Sequence, residues 1–278
     1  MVKISDLISI GAQKLEQISD NPRSEARILL AHALSISISD VFLHMDKEVN
    51  ENKKELFESY ISMRAQHKPI SYITGEKEFF GLSFNVNEHT LIPRPETEMI
   101  VEEILSSGKN ELLDLCTGSG CIPVAAAKNS GITALGIDIS GGAISVAQKN
   151  AKKHRVDERV FFEVCDIFEK DLFGSFDILT SNPPYITDSD MLTLPPDVAN
   201  FEPHSALAGG SDGLRFYRRI SEIAPKNLKE GGMLVFEIGI DEADAVATIM
   251  ENNFTDIKIK KDLAGIDRIV TGILKRRN

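Results

Sequence analysis

From about residue 110 onward the chain alternates short β-like runs with helical stretches, a pattern that folds as a mainly parallel sheet covered on both faces. Strand-like runs fit Glu111–Cys116, Thr133–Asp138, Arg159–Val164, Phe176–Ser181 and Gly232–Ile238. Helical periodicity fits Cys121–Lys128, Gly142–His154, Gly213–Leu228 and Asp241–Asn252. Two last β-like segments, Thr255–Lys260 and Asp267–Leu274, add an edge pair and give the sheet an antiparallel C-terminal edge strand.

The chain before this region has a different character. Residues 1 to about 75 read as all-helical. Ser24–Leu34 carries apolar residues at helical spacing, and a second helix fits Lys53–Gln66 with Leu56, Tyr60 and Met63 on one apolar stripe. His32 and His44 read there as packing residues rather than ligands. Residues 76–94 contain Phe79-Phe80-Gly81-Leu82-Ser83-Phe84, an aromatic hairpin with Gly81 as its turn signal. Pro93 and Pro95 follow, and Glu96–Val101 opens a helix with acids in its first turn, where the helix dipole favours them. The expected organisation is a helical domain over 1–75, a hairpin linker over 76–94 and an α/β domain over 95–278.

Composition narrows the function. The chain has 278 residues, 42% hydrophobic and 26% charged, enough to bury a substantial core. No apolar run approaches the length of a membrane span, and Met1–Asp6 does not open a signal peptide, so a cytoplasmic protein with no membrane partner is expected. Cys116, Cys121 and Cys165 lie in or beside apolar segments at no metal-ligand spacing; they read as small buried hydrophobes, and no metal is expected. The net charge of -11 and pI of about 5.1 argue against direct nucleic-acid binding across a broad surface. The short basic clusters Lys152-Lys153-His154-Arg155 and Lys275-Arg276-Arg277 read as a solvated helix face and a tail.

The chemistry-bearing residues fall at the ends of successive strands. Asp114-Leu115-Cys116-Thr117-Gly118-Ser119-Gly120 joins the first strand to a helix, and Gly118 and Gly120 permit a tight turn and close backbone approach to a ligand. A dinucleotide fingerprint would want Gly or Ala at the position of Pro123, and the lack of a following Lys excludes a P-loop. Asp138, ending the second strand, can accept both hydroxyls of a ribose. Asp166, after the third, can accept from an adenine amino group, with Ile139 and Ile167 flanking the ring. Asn182-Pro183-Pro184-Tyr185 follows the fourth strand. Its two prolines stop the strand and stiffen the turn, where open α/β sheets place their ligands. The Asn182 side-chain oxygen and the Pro183 carbonyl are uncharged acceptors that suit the two N–H bonds of a planar amino group.

This ordered set resembles the class I S-adenosylmethionine-dependent methyltransferases, a Rossmann-like fold. The resemblance implies S-adenosyl-L-methionine as cofactor, bound by Asp114, Cys116, Thr117, Gly118, Ser119, Gly120, Asp138, Ile139, Asp166, Ile167 and Asn182, with Asp114 orienting the glycine loop. Cys116 stands where many members have the first glycine. Asn182, Pro183, Pro184 and Tyr185 match the catalytic loop of members that methylate planar nitrogens, and Tyr185 is expected to pack on the target amide.

The rest of the chain resembles the PrmC/HemK family, the glutamine N5-methyltransferases of peptide-chain release factors. Leu91-Ile92-Pro93-Arg94-Pro95-Glu96-Thr97-Glu98 is similar to the signature preceding that family's core. Pro69–Gly75 and Phe79–Phe84 match its linker, Phe201-Glu202-Pro203 its segment after the catalytic loop, and Asp262–Arg268 its C-terminal hairpin. Glu242 departs from a frequent Gln. The resemblance implies methyl transfer to the glutamine of a Gly-Gly-Gln loop in release factors, with residues 1–75 as the substrate-recognition domain. DNA or RNA base amino-methyltransferases and ribosomal-protein glutamine methyltransferases share the core and remain the alternatives.

Overall fold

The computed structural model describes residues 2–170 and 174–276; Arg277, in the basic tail noted above, lies outside them. The chain divides into two compact units, Met1–Gly75 with Pro195–Phe201, and Glu76–Leu194 with Glu202–Asn278.

The first unit is mainly helical, with helices Ile4–Leu15, Pro22–Leu34, Ile38–Leu43, Glu51–Ala65 and Ile70–Thr74, but it is not all-helical, because Val2–Lys3 pairs antiparallel with Glu48–Val49. Pro22 occupies the first turn of its helix, where the missing N–H costs nothing. Ser37 and Asn50 cap the N-termini of helices Ile38–Leu43 and Glu51–Ala65, their side-chain oxygens accepting from Asp40 N and Lys53 N. Leu7, Ile8, Leu29, Leu30, Phe57 and Ile61 form the core. A Cβ at Gly11 would stand 2.7 Å from the Phe57 ring, so the first and fourth helices meet there. The buried stripe of Glu51–Ala65 is therefore Phe57, Ile61 and Arg64, one residue on from the expected Leu56, Tyr60 and Met63. Leu56 and Met63 are exposed. Arg64 belongs inside because its Nε donates to Glu25 Oε2 at 2.8 Å. Tyr60 is half-buried beside His32, with ring centroids 5.4 Å apart, and His32 and His44 are both exposed.

The second unit is built on a seven-stranded sheet: β1 (Glu111–Leu115), β2 (Thr133–Asp138), β3 (Val160–Val164), β4 (Phe176–Ser181), β5 (Leu228–Glu237), β6 (Phe254–Lys261) and β7 (Asp267–Leu274). Spatial order is β3-β2-β1-β4-β5-β7-β6, parallel from β3 to β5, with β7 antiparallel to both neighbours. Leu113 of β1 pairs with Leu135 on one side and Leu179 on the other. The chain order thus reverses between β1 and β4, which opens a crevice at the strands' carboxyl ends.

Each face of the sheet has its own core. Ile100, Val101, Ile104 and Val124 cover one; Tyr217, Ile220, Ile223, Val246 and Met250 cover the other. The hairpin Glu76–Phe79/Leu82–Asn85 turns through Phe80 and Gly81, both at positive φ (50° and 69°), the geometry of a two-residue hairpin loop that follows strand twist. Phe80 N donates to Glu98 Oε1 at 2.8 Å, fastening this strained turn to helix Glu98–Ser107. Asn150, fully buried in helix Gly141–His154, accepts from Asn85 N at 2.8 Å and donates to Ser119 O at 2.9 Å. One amide thereby joins the hairpin to the loop after β1.

Candidate active site

The loop after β1 is wound tightly. Cys116, Gly118 and Gly120 all have left-handed φ (59°, 55° and 73°). A Cβ at Gly120 would stand 2.9 Å from Phe162 and 3.0 Å from Ala147, so only glycine fits both the backbone and the space. Cys116 takes the same conformation with a side chain attached, at a steric cost of about 1 kcal/mol. Its thiol is pushed well up by burial, and that of Cys121 up to about 12 by the same cause, so neither is a thiolate.

Carboxylates hold this loop from below and from the side. Asp114 is fully buried and accepts from Thr117 Oγ1 at 2.6 Å and Thr180 Oγ1 at 2.7 Å. Burial pushes it up to about 7 against those two hydrogen bonds. Asp138 accepts Gly118 N through Oδ2 and Ser140 N through Oδ1, each at 2.9 Å. Its pKa is also raised by burial, with backbone N–H donors working against the rise. Asp166 accepts Phe168 N at 2.8 Å.

These strand ends frame a cavity of about 380 Å³, within the range of small-molecule sites. Cys116, Thr117, Gly118, Ser119, Asp138, Ile139, Asp166, Ile167, Asn182 and Pro184 all line it. Asp114, Gly120, Pro183 and Tyr185 do not: Asp114 sits beneath the loop, and Tyr185 packs against the core on one sheet face. Burial raises the Tyr185 hydroxyl to about 12. In this structure the Tyr185 ring packs against that core and is not part of the cavity wall. Ser119 Oγ is buried on the cavity wall with no partner among the described residues, a polar atom awaiting a ligand group.

The residues that sequence reasoning left without roles complete the wall. Arg215 lies 4.2 Å over the Phe168 ring, and Phe168 meets Phe216 edge-on at 5.1 Å, giving the Asp166 end an aromatic side. At the Asn182 end, Leu91, Pro93, Arg94 and Thr97 line the cavity. Arg94 Nη2 donates to the buried Glu202 at 2.5 Å, and Glu202 also accepts Ile92 N at 3.1 Å. Asn182 Nδ2 donates to Thr97 Oγ1 at 3.2 Å. Glu237, the last residue of β5, is buried, and burial pushes its carboxyl up to about 7, with Thr97 acting against the rise. The Pro-Arg-Pro-Glu-Thr-Glu string was the available signal for Arg94 and Thr97; nothing in the sequence pointed to Glu237.

A model described as the PrmC N-terminal domain matches residues 6–75, and one described as a methyltransferase domain matches residues 106–272. The release factor glutamine methyltransferase of Clostridium acetobutylicum is 39% identical, over 98% of this chain and 99% of its own length. Those of Nitratidesulfovibrio vulgaris (39%, 99% and 95%) and Geobacter sulfurreducens (40%, 91% and 90%) are similarly related. Among solved structures, the hMettl16 catalytic domain in complex with a MAT2A 3′UTR hairpin superposes with a TM-score of 0.58 at 16% identity, covering 79% of this chain and 82% of that one. A methyltransferase from Pyrococcus furiosus does so at 0.53 and 16%, covering 72% and 92%. At that identity these two structures speak to the fold alone.

Proposed function

The chain belongs to the release factor glutamine methyltransferase family, and from that premise we propose that it methylates the side-chain amide nitrogen (N5) of the glutamine in the Gly-Gly-Gln loop of peptide-chain release factors. It is an S-adenosylmethionine-dependent methyltransferase. The observation that carries the substrate reading is Asn182: its Nδ2 is committed to Thr97, which leaves Oδ1 as the acceptor for a ligand in the cavity.

The residues present fit the cofactor. The unpartnered Ser119 Oγ, the close-approaching Gly118 backbone and the Asp138 carboxylate suit a nucleoside carrying an amino-acid arm. Ile139, Phe168 and Asp166 suit its adenine. Bound there, the cofactor supplies an electrophilic sulfonium methyl. An amide nitrogen is a poor nucleophile, and no side chain in the cavity can deprotonate it near neutral pH, so the protein's part is orientation and hydrogen bonding. Asn182 Oδ1, on the cavity wall, accepts one N–H of the target amide, and the carbonyl of Pro183, next in the chain though not part of the wall in this structure, is the proposed acceptor for the other; together they hold its nitrogen in line with the methyl. Alignment of this kind lowers barriers by about 7–11 kcal/mol in favourable cases. Both hydrogen bonds strengthen as positive charge develops on nitrogen, which favours the transition state over the ground state. The proton leaves after transfer, so no strong base is required.

Residues 1–75 serve in this reading as the substrate-recognition domain, and the protein acts in the cytoplasm on a protein rather than on nucleic acid. Among the described residues no helix is long and apolar enough to cross a membrane. The test is transfer of labelled methyl from S-adenosylmethionine to purified release factor, its Gly-Gly-Gln→Gly-Gly-Ala variant and bulk nucleic acid. Label on the wild-type factor alone is the expected result. Label on nucleic acid alone would keep the fold and cofactor but move the chain to the base methyltransferases.

A further inference from the structure

We propose that Glu242 is a positioning residue for methyl transfer, its carboxylate locking the seat that holds the exit of the turn from Asn182 to Tyr185. The inference rests on the reading of Asn182 and Pro183 as the grip on the target amide. Two prolines make that turn stiff, because each fixes its own φ and lacks an N–H. A stiff turn takes its orientation from its two ends. The entry end is held by β4, where Ser181 Oγ donates to Leu115 O at 2.8 Å. The exit end leaves the seven-stranded sheet at Tyr185 and needs a seat of its own.

Backbone supplies that seat. Ile186 N donates to Leu207 O at 2.9 Å and Asp188 N to Gly210 O at 3.1 Å, so the chain after Tyr185 runs along the segment from Leu207 to Gly213. The approach is close enough to exclude side chains. A Cβ at Gly209 would stand 2.7 Å from Tyr185 Cα, and one at Gly213 would stand 2.5 Å from Tyr185 O. Gly213 also has a left-handed φ of 74°, so glycine alone serves there. The same stretch of chain reaches the cavity, which His204, Ser205, Ala206 and Ala208 help to line. A shift of this segment therefore moves the cavity wall and the catalytic turn together.

Glu242 closes the other side of the seat. It is half-buried, and its Oε2 accepts Gly239 N at 2.8 Å. The buried Tyr217 hydroxyl lies 3.1 Å from the same oxygen and 3.1 Å from Glu237 O at the end of β5. Glu242 Oε1 lies 2.5 Å from where a Gly213 Cβ would stand. The Tyr185 ring comes within 3.1 Å of the corresponding point at Gly239. One carboxylate thus ties the loop after β5, the helix Arg215–Asn227 and the glycine segment into a single wall around Tyr185.

The experiment measures single-turnover methylation of release factor, calorimetric cofactor binding and melting curves for wild type, Glu242→Ala, Glu242→Gln, Gly213→Ala and Gly231→Ala. Glu242→Ala loosens the seat and should lower the rate on the order of 10-fold, with cofactor Kd held within about 2-fold. Glu242→Gln keeps an oxygen for the same two donors and should recover most of the rate. Gly213→Ala pushes on Tyr185 and Glu242 and should be slow in the same way. Gly231→Ala carries similar left-handed strain, at φ 68°, but its added methyl meets nothing within 4 Å, so it should keep the wild-type rate. If Glu242→Ala melts below the assay temperature, Gly213→Ala is judged by the same readings. Glu242→Ala at the wild-type rate, Glu242→Gln no faster than Glu242→Ala, a cofactor Kd that worsens as much as the rate, or Gly231→Ala as slow as Gly213→Ala would each overturn the proposal. If wild type leaves release factor unlabelled, the functional reading fails separately. The seat is then judged by hydrogen exchange at the Ile186 amide, slow in wild type and Glu242→Gln and faster in Glu242→Ala, with Leu179 of β4 unchanged; equal rates at Ile186 would overturn it.

Discussion

Asp138 Oδ2 accepts the Gly118 N–H at 2.9 Å, so the acid ending β2 holds the glycine loop that ends β1. Asp138 also lines the cavity, where its proposed role is to accept the ribose hydroxyls of the cofactor. Its removal should therefore act twice, through the loop and through the ligand. We expect Asp138→Ala to weaken cofactor binding by at least about 10-fold, since hydrogen bonds to a charged group contribute roughly 1.5–3 kcal/mol. Calorimetric titration with S-adenosylmethionine or its demethylated product measures this directly. An unchanged Kd would remove Asp138 from the cofactor site.

Asn182 should behave in the opposite way. It lines the cavity beside Thr97, and its proposed role is to hold the target amide. Asn182→Ala should cut methyl transfer by a factor on the order of 100 with little change in cofactor Kd. Asn182→Asp keeps an acceptor but loses the N–H that reaches Thr97 at 3.2 Å. It should also be slow. Parallel losses in Kd and rate would show a collapsed site instead.

The acids and the Asn-Pro-Pro-Tyr turn were legible in the sequence because each ends a strand, and strand ends of a parallel sheet share one edge. The sheet itself was legible for a related reason, since β1 to β4 are apolar runs bounded by turn residues. What escaped was whatever depends on packing in three dimensions. Thr97 and Glu237 lie in a short 3₁₀ turn and at the end of β5, and only the pairing of Phe236 with Ser181 brings β5 beside the Asn182 strand. Tyr185 belongs to the quoted turn, yet its ring goes to the core, because alternate residues past a strand end face opposite sides. The stripe on Glu51–Ala65 slipped by one residue because Gly11, on another helix, decides which face can be approached closely.

Glu202 offers a structural test of the cavity wall at the Asn182 end. It is buried and accepts from both Ile92 N and Arg94 Nη2. Glu202→Ala strands the Ile92 N–H and frees a guanidinium that faces the cavity. A stability loss of about 1–3 kcal/mol is expected, the cost of one buried unsatisfied group, with the partly exposed Arg94 adding little. Glu202→Gln keeps an acceptor for Ile92 and should recover most of it. Denaturant unfolding of the two variants beside wild type separates these outcomes.

Two of the buried acids, Asp114 and Glu237, shape how stability depends on pH. Burial raises Asp114 and Glu237 to about 7, well above the values of about 3.9 and 4.3 in an unfolded chain. Between roughly pH 4 and 7 the folded protein then holds protons that the unfolded chain has lost, so stability should fall as pH rises through this window. Below it the trend reverses, because Asp177 and Asp262, which sit lower than usual through their Lys229 and Ile266 hydrogen bonds, lose those contacts on protonation. Asp114→Asn removes one of these two acids. Its unfolding free energy between pH 5 and 7 should show a slope shallower by up to about 1.4 kcal/mol per pH unit, one proton's worth of linkage. Parallel slopes for wild type and variant would mean that Asp114 is already ionised at pH 5, its charge carried by the Thr117 and Thr180 hydroxyls.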